Sequence, residues 1–137
     1  MKLTRTILSI AIGLIIGNIL NMCIIMTSGS IIPPPQGADV TTYEGLKATM
    51  HLFEPKHYIL PFLAHALGTL TGSLTAALIA QKNKMVFSMI IGAIFLIGGI
   101  WMVSIVPSPL WFTITDLTLA YIPMAFIAGK LASRKWR

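Results

Sequence analysis

Hydrophobic positions along this chain fall into four long unbroken runs, at 7–26, 57–80, 85–106 and 110–131. Each run is about 20 residues or slightly more, and at ~1.5 Å of rise per residue that reaches ~30 Å, the thickness of a bilayer's hydrocarbon core. The pattern predicts four transmembrane helices. Polar positions gather between them: a long connection at 27–56, the short loop Gln81-Lys82-Asn83-Lys84, and the turn Pro107-Ser108-Pro109. The two prolines lack backbone donors and restrict their neighbours, so no helix continues through that turn. No repeat with a period of 20–50 residues is present.

Composition agrees. Of 137 residues, 55% are hydrophobic and 10% charged, with a mean hydropathy of +0.83. A soluble domain carries about 25% charged residues and has no core large enough for so much apolar side chain. The predicted fold is an all-α membrane protein: a single four-helix bundle over 1–137. The first run is too long for the ~7–15 residues of a signal-peptide core and lacks an A-x-A site, so it reads as a retained helix. Met22 before Cys23 is too large for a lipoprotein cleavage box. The net charge of +6 does not indicate a nucleic-acid partner, because the basic residues sit beside apolar runs.

Those basic residues set an orientation. Lys2, Arg5, Lys82, Lys84, Lys130, Arg134, Lys135 and Arg137 fall on one side, and only Lys47 and Lys56 on the other. The positive-inside rule puts the first group, and both termini, in the cytoplasm of a bacterial inner membrane. Asp39, Glu44, Glu54 and Asp116 then lie in the outer half. Tyr58, Trp101 and Trp111 fall near outer span ends and Trp136 near an inner one. So strong a bias opposes dual-topology insertion.

The connection has order of its own. Pro33-Pro34-Pro35 predicts a stiff extended piece. Thr41-x-x-Glu44 reads as a capping box, and Tyr43, Leu46, Met50 and Phe53 then recur at helical spacing until Pro55. A short amphipathic helix on the outer interface, or capping the bundle, is expected.

Small residues recur every fourth position in the spans. Span two has Ala64, Gly68, Gly72, Ala76 and Ala80; span one has Ser9, Gly13 and Gly17. Span four has Ala125, Gly129 and Ser133, and span three has Gly92 and Gly99. Such faces let helix backbones approach closely in lipid, either within one bundle or across a homo-oligomer seam.

Polar residues inside the spans are the candidate chemistry. Asp116 is the one acid, ~9 Å below its helix end; His65 is the one deep histidine, ~12 Å down. Asn18 and Asn21 lie in the outer half of span one. Asn21, His65 and Asp116 therefore come to similar depth from three helices, with Thr113 a further neighbour for Asp116. A charge here is costly, so these side chains are expected to face inward, as a binding site for a proton, cation or ligand or as an interhelical hydrogen-bond network. Pro61 and Pro123 free the carbonyls of His57 and Leu119; Pro123, at mid-span, is expected to kink its helix, and Gly98-Gly99 to loosen span three. His51-x2-Glu54-x2-His57 lacks the HExxH spacing, and Pro55 interrupts it, so no metal is assigned.

Other functions are disfavoured. One cysteine excludes thiol-based quinone reductases. A single deep histidine argues against b-type haem. The acid that small quaternary-cation exporters carry in their first span is absent, as is the glycine–arginine signature of small fluoride channels. No cofactor is implied. The reading that remains is a homo-oligomeric transporter or channel for a small ion or solute, with an outward-facing polar site at Asp116, His65, Asn21, Asn18 and Thr113. The alternative is an accessory subunit of a larger membrane complex.

Overall fold

Long apolar runs satisfy their backbone polar groups in one economical way, by the i to i−4 helix. The structure, a computed structural model describing residues 2–134, is all-helical among those residues. Lys135, Trp136 and Arg137, which the charge and aromatic patterns place at the basic end, lie outside them. The helices are α1 (Leu3–Ile31), α2 (Tyr43–Thr49), α3 (Ile59–Ala80), α4 (Lys84–Ile105), α5 (Leu110–Leu119) and α6 (Ile122–Ser133), with 3-10 turns at Met50–Leu52 and Pro55–Tyr58. Four stretches are long and apolar enough to cross a membrane: α1, Pro55–Ala80, α4, and α5 with α6 together.

The centre of the bundle is α3, which packs on α1, α4 and α6. Its small residues make this possible. A Cβ on Gly13 would lie 2.7 Å from the Gly72 carbonyl oxygen and 2.8 Å from the Ala76 Cβ; one on Gly68 would lie 2.9 Å from the Gly17 carbonyl oxygen. The α1 and α3 backbones therefore touch, as small-xxx-small faces allow. Gly92 packs on Ala125 and Gly129 on Met85, joining α4 to α6, while Gly99 receives the Tyr121 ring. The stripes that suggested an oligomer seam are thus used inside one chain.

At the end carrying the basic residues, Arg5 Nε donates to the Ile79 carbonyl at 2.7 Å and Lys84 Nζ to the Ala132 carbonyl at 2.7 Å. Each caps the negative end of a neighbouring helix. Further in, the buried Ser73 hydroxyl donates to Ser88 O at 3.1 Å and the buried Ser88 hydroxyl to Ala125 O at 2.5 Å, linking α3, α4 and α6. Ser88→Ala is expected to cost about 0.5–2 kcal/mol, read as a lower melting temperature in detergent. An unchanged melting temperature would mean that this link contributes nothing.

Four local features differ from the sequence reading. First, α1 overruns the expected 7–26 at both ends. The Thr27 and Ser28 hydroxyls bond the carbonyls of Cys23 and Ile25, and the helix stops at Ile32, just before the prolines. Second, the cap of α2 is Thr42, which accepts from Gly45 N at 2.9 Å; Thr41 instead donates its amide and hydroxyl to Asp39. Those two bonds, the hydroxyl's the larger effect, hold the exposed Asp39 carboxyl below the ordinary carboxylate value. Third, α4 runs unbroken through Gly98 and Gly99. Fourth, the kink expected from Pro123 is a full break: the span expected at 110–131 is two helices, interrupted at Ala120 and Tyr121. Pro123 cannot donate to the Leu119 carbonyl, and its ring excludes that carbonyl from the helical position. Pro61, in the first turn of α3, costs its helix no such break.

The connection is fastened over the opposite end of the bundle. Tyr58 packs edge-on to Trp111 and against Phe112, with Phe53 beside it, and its hydroxyl bonds the Met50 sulfur at 3.1 Å.

Candidate functional site

Asp116 lies one turn before the break between α5 and α6, and is 4% exposed. His65, in the second turn of α3, faces it. His65 Nδ1 is 2.8 Å from Asp116 Oδ1 and 3.0 Å from Oδ2. The Tyr121 hydroxyl donates to Asp116 Oδ2 at 3.1 Å, and the Tyr121 ring stacks on the His65 imidazole at 5.8 Å between centroids. An ionised Asp116 only accepts, so Nδ1 is then the donor of this bond. Among the described residues nothing bonds Nε2. The arrangement gathers a carboxylate, an imidazole and a phenol into one hydrogen-bonded cluster.

The site lines a cavity of about 1100 Å³ at the connection end of the bundle, bounded by α1, α3, α4 and α5 and covered by the connection. Toward the basic end the helices close. Gly17 and Gly72 meet the Phe95 ring, and below them lie the Gly13–Ala76 contact and the Ser73–Ser88–Ala125 link. The molecule therefore holds a cavity at one end and is packed at the other.

The residues singled out in the sequence fare differently. His65 and Asp116 meet. Asn21 lines the same cavity, and its buried Oδ1 has no hydrogen-bond partner. Asn18 lines the cavity too, but its amide donates to Leu14 O of its own helix at 2.9 Å. Thr113 does not reach Asp116. Its hydroxyl bonds Ser108 at 2.7 Å, tying α5 to the proline turn. His57 Nδ1 accepts from Glu54 N at 2.9 Å, and Glu54 pairs with Lys56 at 3.1 Å, so this cluster stabilises its own turn.

Tyr121 is the residue that sequence reasoning missed. Five positions after Asp116, it would point well away from that side chain on a continuous helix. The break brings the two together, and the only signal for it is Pro123 two residues on.

Fold and site together define a four-helix bundle compatible with membrane insertion, in which buried Asp116 and Tyr121 and half-buried His65 form a cluster on a cavity at one end. Compared with protein-family models, with curated proteins and with solved structures, the chain matches none.

Proposed function

We propose that the chain is a small membrane transporter or channel, taking a small ion or solute into the cavity above Asp116. The carrying observation is the Asp116–His65–Tyr121 cluster. A carboxylate inside a span is costly, up to about 2.5–3.5 kcal/mol at the span's centre on insertion scales, and packing alone gives no reason to maintain one beside a cavity. The broken fourth span supports the same reading, since discontinuous helices free backbone groups beside a site. The lysine and arginine distribution supports a cytoplasmic-membrane orientation with the basic end inside and the cavity outside. Because the small-residue stripes are used within one chain, a second copy or a partner subunit would have to meet the exposed faces of α1 and α4.

Reconstitution tests the reading. Purified protein in liposomes is expected to move protons, inorganic ions or small organic solutes faster than protein-free liposomes do. No excess flux for any of these would remove the proposal. Topology is a separate prediction, motivated by the eight-to-two distribution of lysine and arginine. Reporter fusions at Arg137 and within residues 81–84 are expected to report cytoplasm, and a fusion at Gly37 the outside. An external signal from Arg137 would invert the orientation.

A further inference from the structure

We infer that the solute is a lipophilic organic monocation, its charge held at Asp116 and its apolar body lying along the cavity; this rests on the transport reading for the same site.

Size is the first argument. The cavity, at about 1100 Å³, is slightly larger than the ~300–1,000 Å³ typical of sites for drug-sized molecules, and an inorganic ion would leave nearly all of it unfilled. Coordination is the second. A hard cation such as Ca²⁺ takes roughly six to eight oxygens, whereas both Asp116 oxygens are already engaged by His65 and Tyr121. Among the described residues no three of His, Cys, Asp and Glu gather as a metal-ligand set.

Charge is the third and strongest argument. The chain carries a net +6, yet among the described residues no lysine or arginine lines this cavity, while Asp116 and Glu44 both do. Excluding the chain's abundant cations from an acid-bearing cavity makes it complementary to a positive guest. Phe95, Phe112 and Tyr121 add aromatic rings, whose faces attract organic cations. The fourth argument is the rim. Met22, Met26 and Met102 line the cavity and are also exposed on the apolar spans, Met26 by 79%. Flexible thioethers there suit a lipophilic body arriving from the bilayer. The acid belongs to the fourth span, so this ligand class implies no kinship with small exporters that carry theirs in the first.

The test uses a pair of probes of one shape and opposite charge, tetraphenylphosphonium and tetraphenylborate, on the full chain in nanodiscs, with empty nanodiscs subtracted. Wild type is expected to bind the cation at least ~10-fold more tightly than the anion, and Asp116→Asn to weaken cation binding ~10-fold or more. Gly98→Phe supplies a steric control independent of the acid. Gly98 lines the cavity with nothing within 4 Å of a Cβ placed there, so the ring would fill the groove without disturbing the bundle. It is expected to abolish cation binding while leaving the melting temperature unchanged. Equal affinity for the two probes overturns the inference. So does cation binding that survives both substitutions in folded protein. If liposomes show Asp116-dependent flux of protons or inorganic cations while tetraphenylphosphonium fails to bind, the ligand class fails and the transport reading stands. If tetraphenylphosphonium binds at Asp116 but neither it nor any proton, inorganic ion or small solute is moved, transport fails and the ligand class stands.

Discussion

Replacing Gly72 with leucine is expected to separate α1 from α3 and abolish the cooperative thermal transition in mild detergent. Leu78→Ala is expected to shift that transition by only a few degrees. A Cβ on Gly72 would lie 2.6 Å from the Gly13 carbonyl oxygen and 3.2 Å from the Gly17 Cα. Both are backbone atoms of a facing helix, so no rotamer change relieves the contact. Overpacking in an adaptable core costs about 1–3 kcal/mol, and here the helices themselves must move apart. Leu78 is 52% exposed on the same helix, so truncating it opens no cavity. Thermal unfolding of the two variants side by side, with circular dichroism for helix content, makes the comparison. Equal tolerance would mean that the α1–α3 contact does not hold the bundle together.

Asp116→Asn is expected to reduce liposome flux at least ~10-fold while the protein stays folded, a factor that corresponds to about 1.4 kcal/mol. Asparagine keeps the shape and an oxygen for the Tyr121 hydroxyl but removes the charge. Its cost to stability should stay within about 0.5–2 kcal/mol, the range for an interhelical hydrogen bond. His65→Gln is the companion variant. Glutamine keeps a polar group near Asp116 but loses the ring that stacks on Tyr121, so flux is expected to fall in this variant too. The other ionisable side chains lining the cavity are Tyr43, Glu44, His57 and Tyr58 from the connection and Tyr121 at the helix break; α1 and α4 contribute none. Flux unchanged in both variants, with a lowered melting temperature, would make the pair a structural cross-link.

Asp116 and His65 were legible in the sequence because charge and imidazole are conspicuous in apolar runs, and counting down from the span ends placed them at similar depth. Thr113 is three residues from Asp116, but its hydroxyl is taken by the Ser108 hydroxyl of the proline turn, 2.7 Å away, a contact that depth along the span does not reveal. Asn18 and Asn21 illustrate a limit of depth as a guide. Both line the cavity, yet one amide turns back on its own helix and the other leaves a buried oxygen unpartnered.

What the sequence determined by itself is the all-helical class, four apolar stretches long enough to span, and the segregation of basic residues to one end. These follow from composition and run length, which depend on each residue's own transfer free energy and on where prolines fall. The short helix in the connection belongs here too, though its cap moved from Thr41 to Thr42. Only the tertiary structure decided which small-residue stripes face one another, that Gly13 and Gly17 meet Gly72 and Gly68, and that α3 lies between the other three spans. It also decided that Tyr121 completes the cluster and that a cavity remains at one end. The physical reason is that lipid is as apolar as leucine: burial, which would otherwise mark the core in a sequence, does not separate interior from exterior here. Interhelical packing is then governed by shape at close backbone contact and by a few polar bonds, quantities that exist only once the helices are side by side.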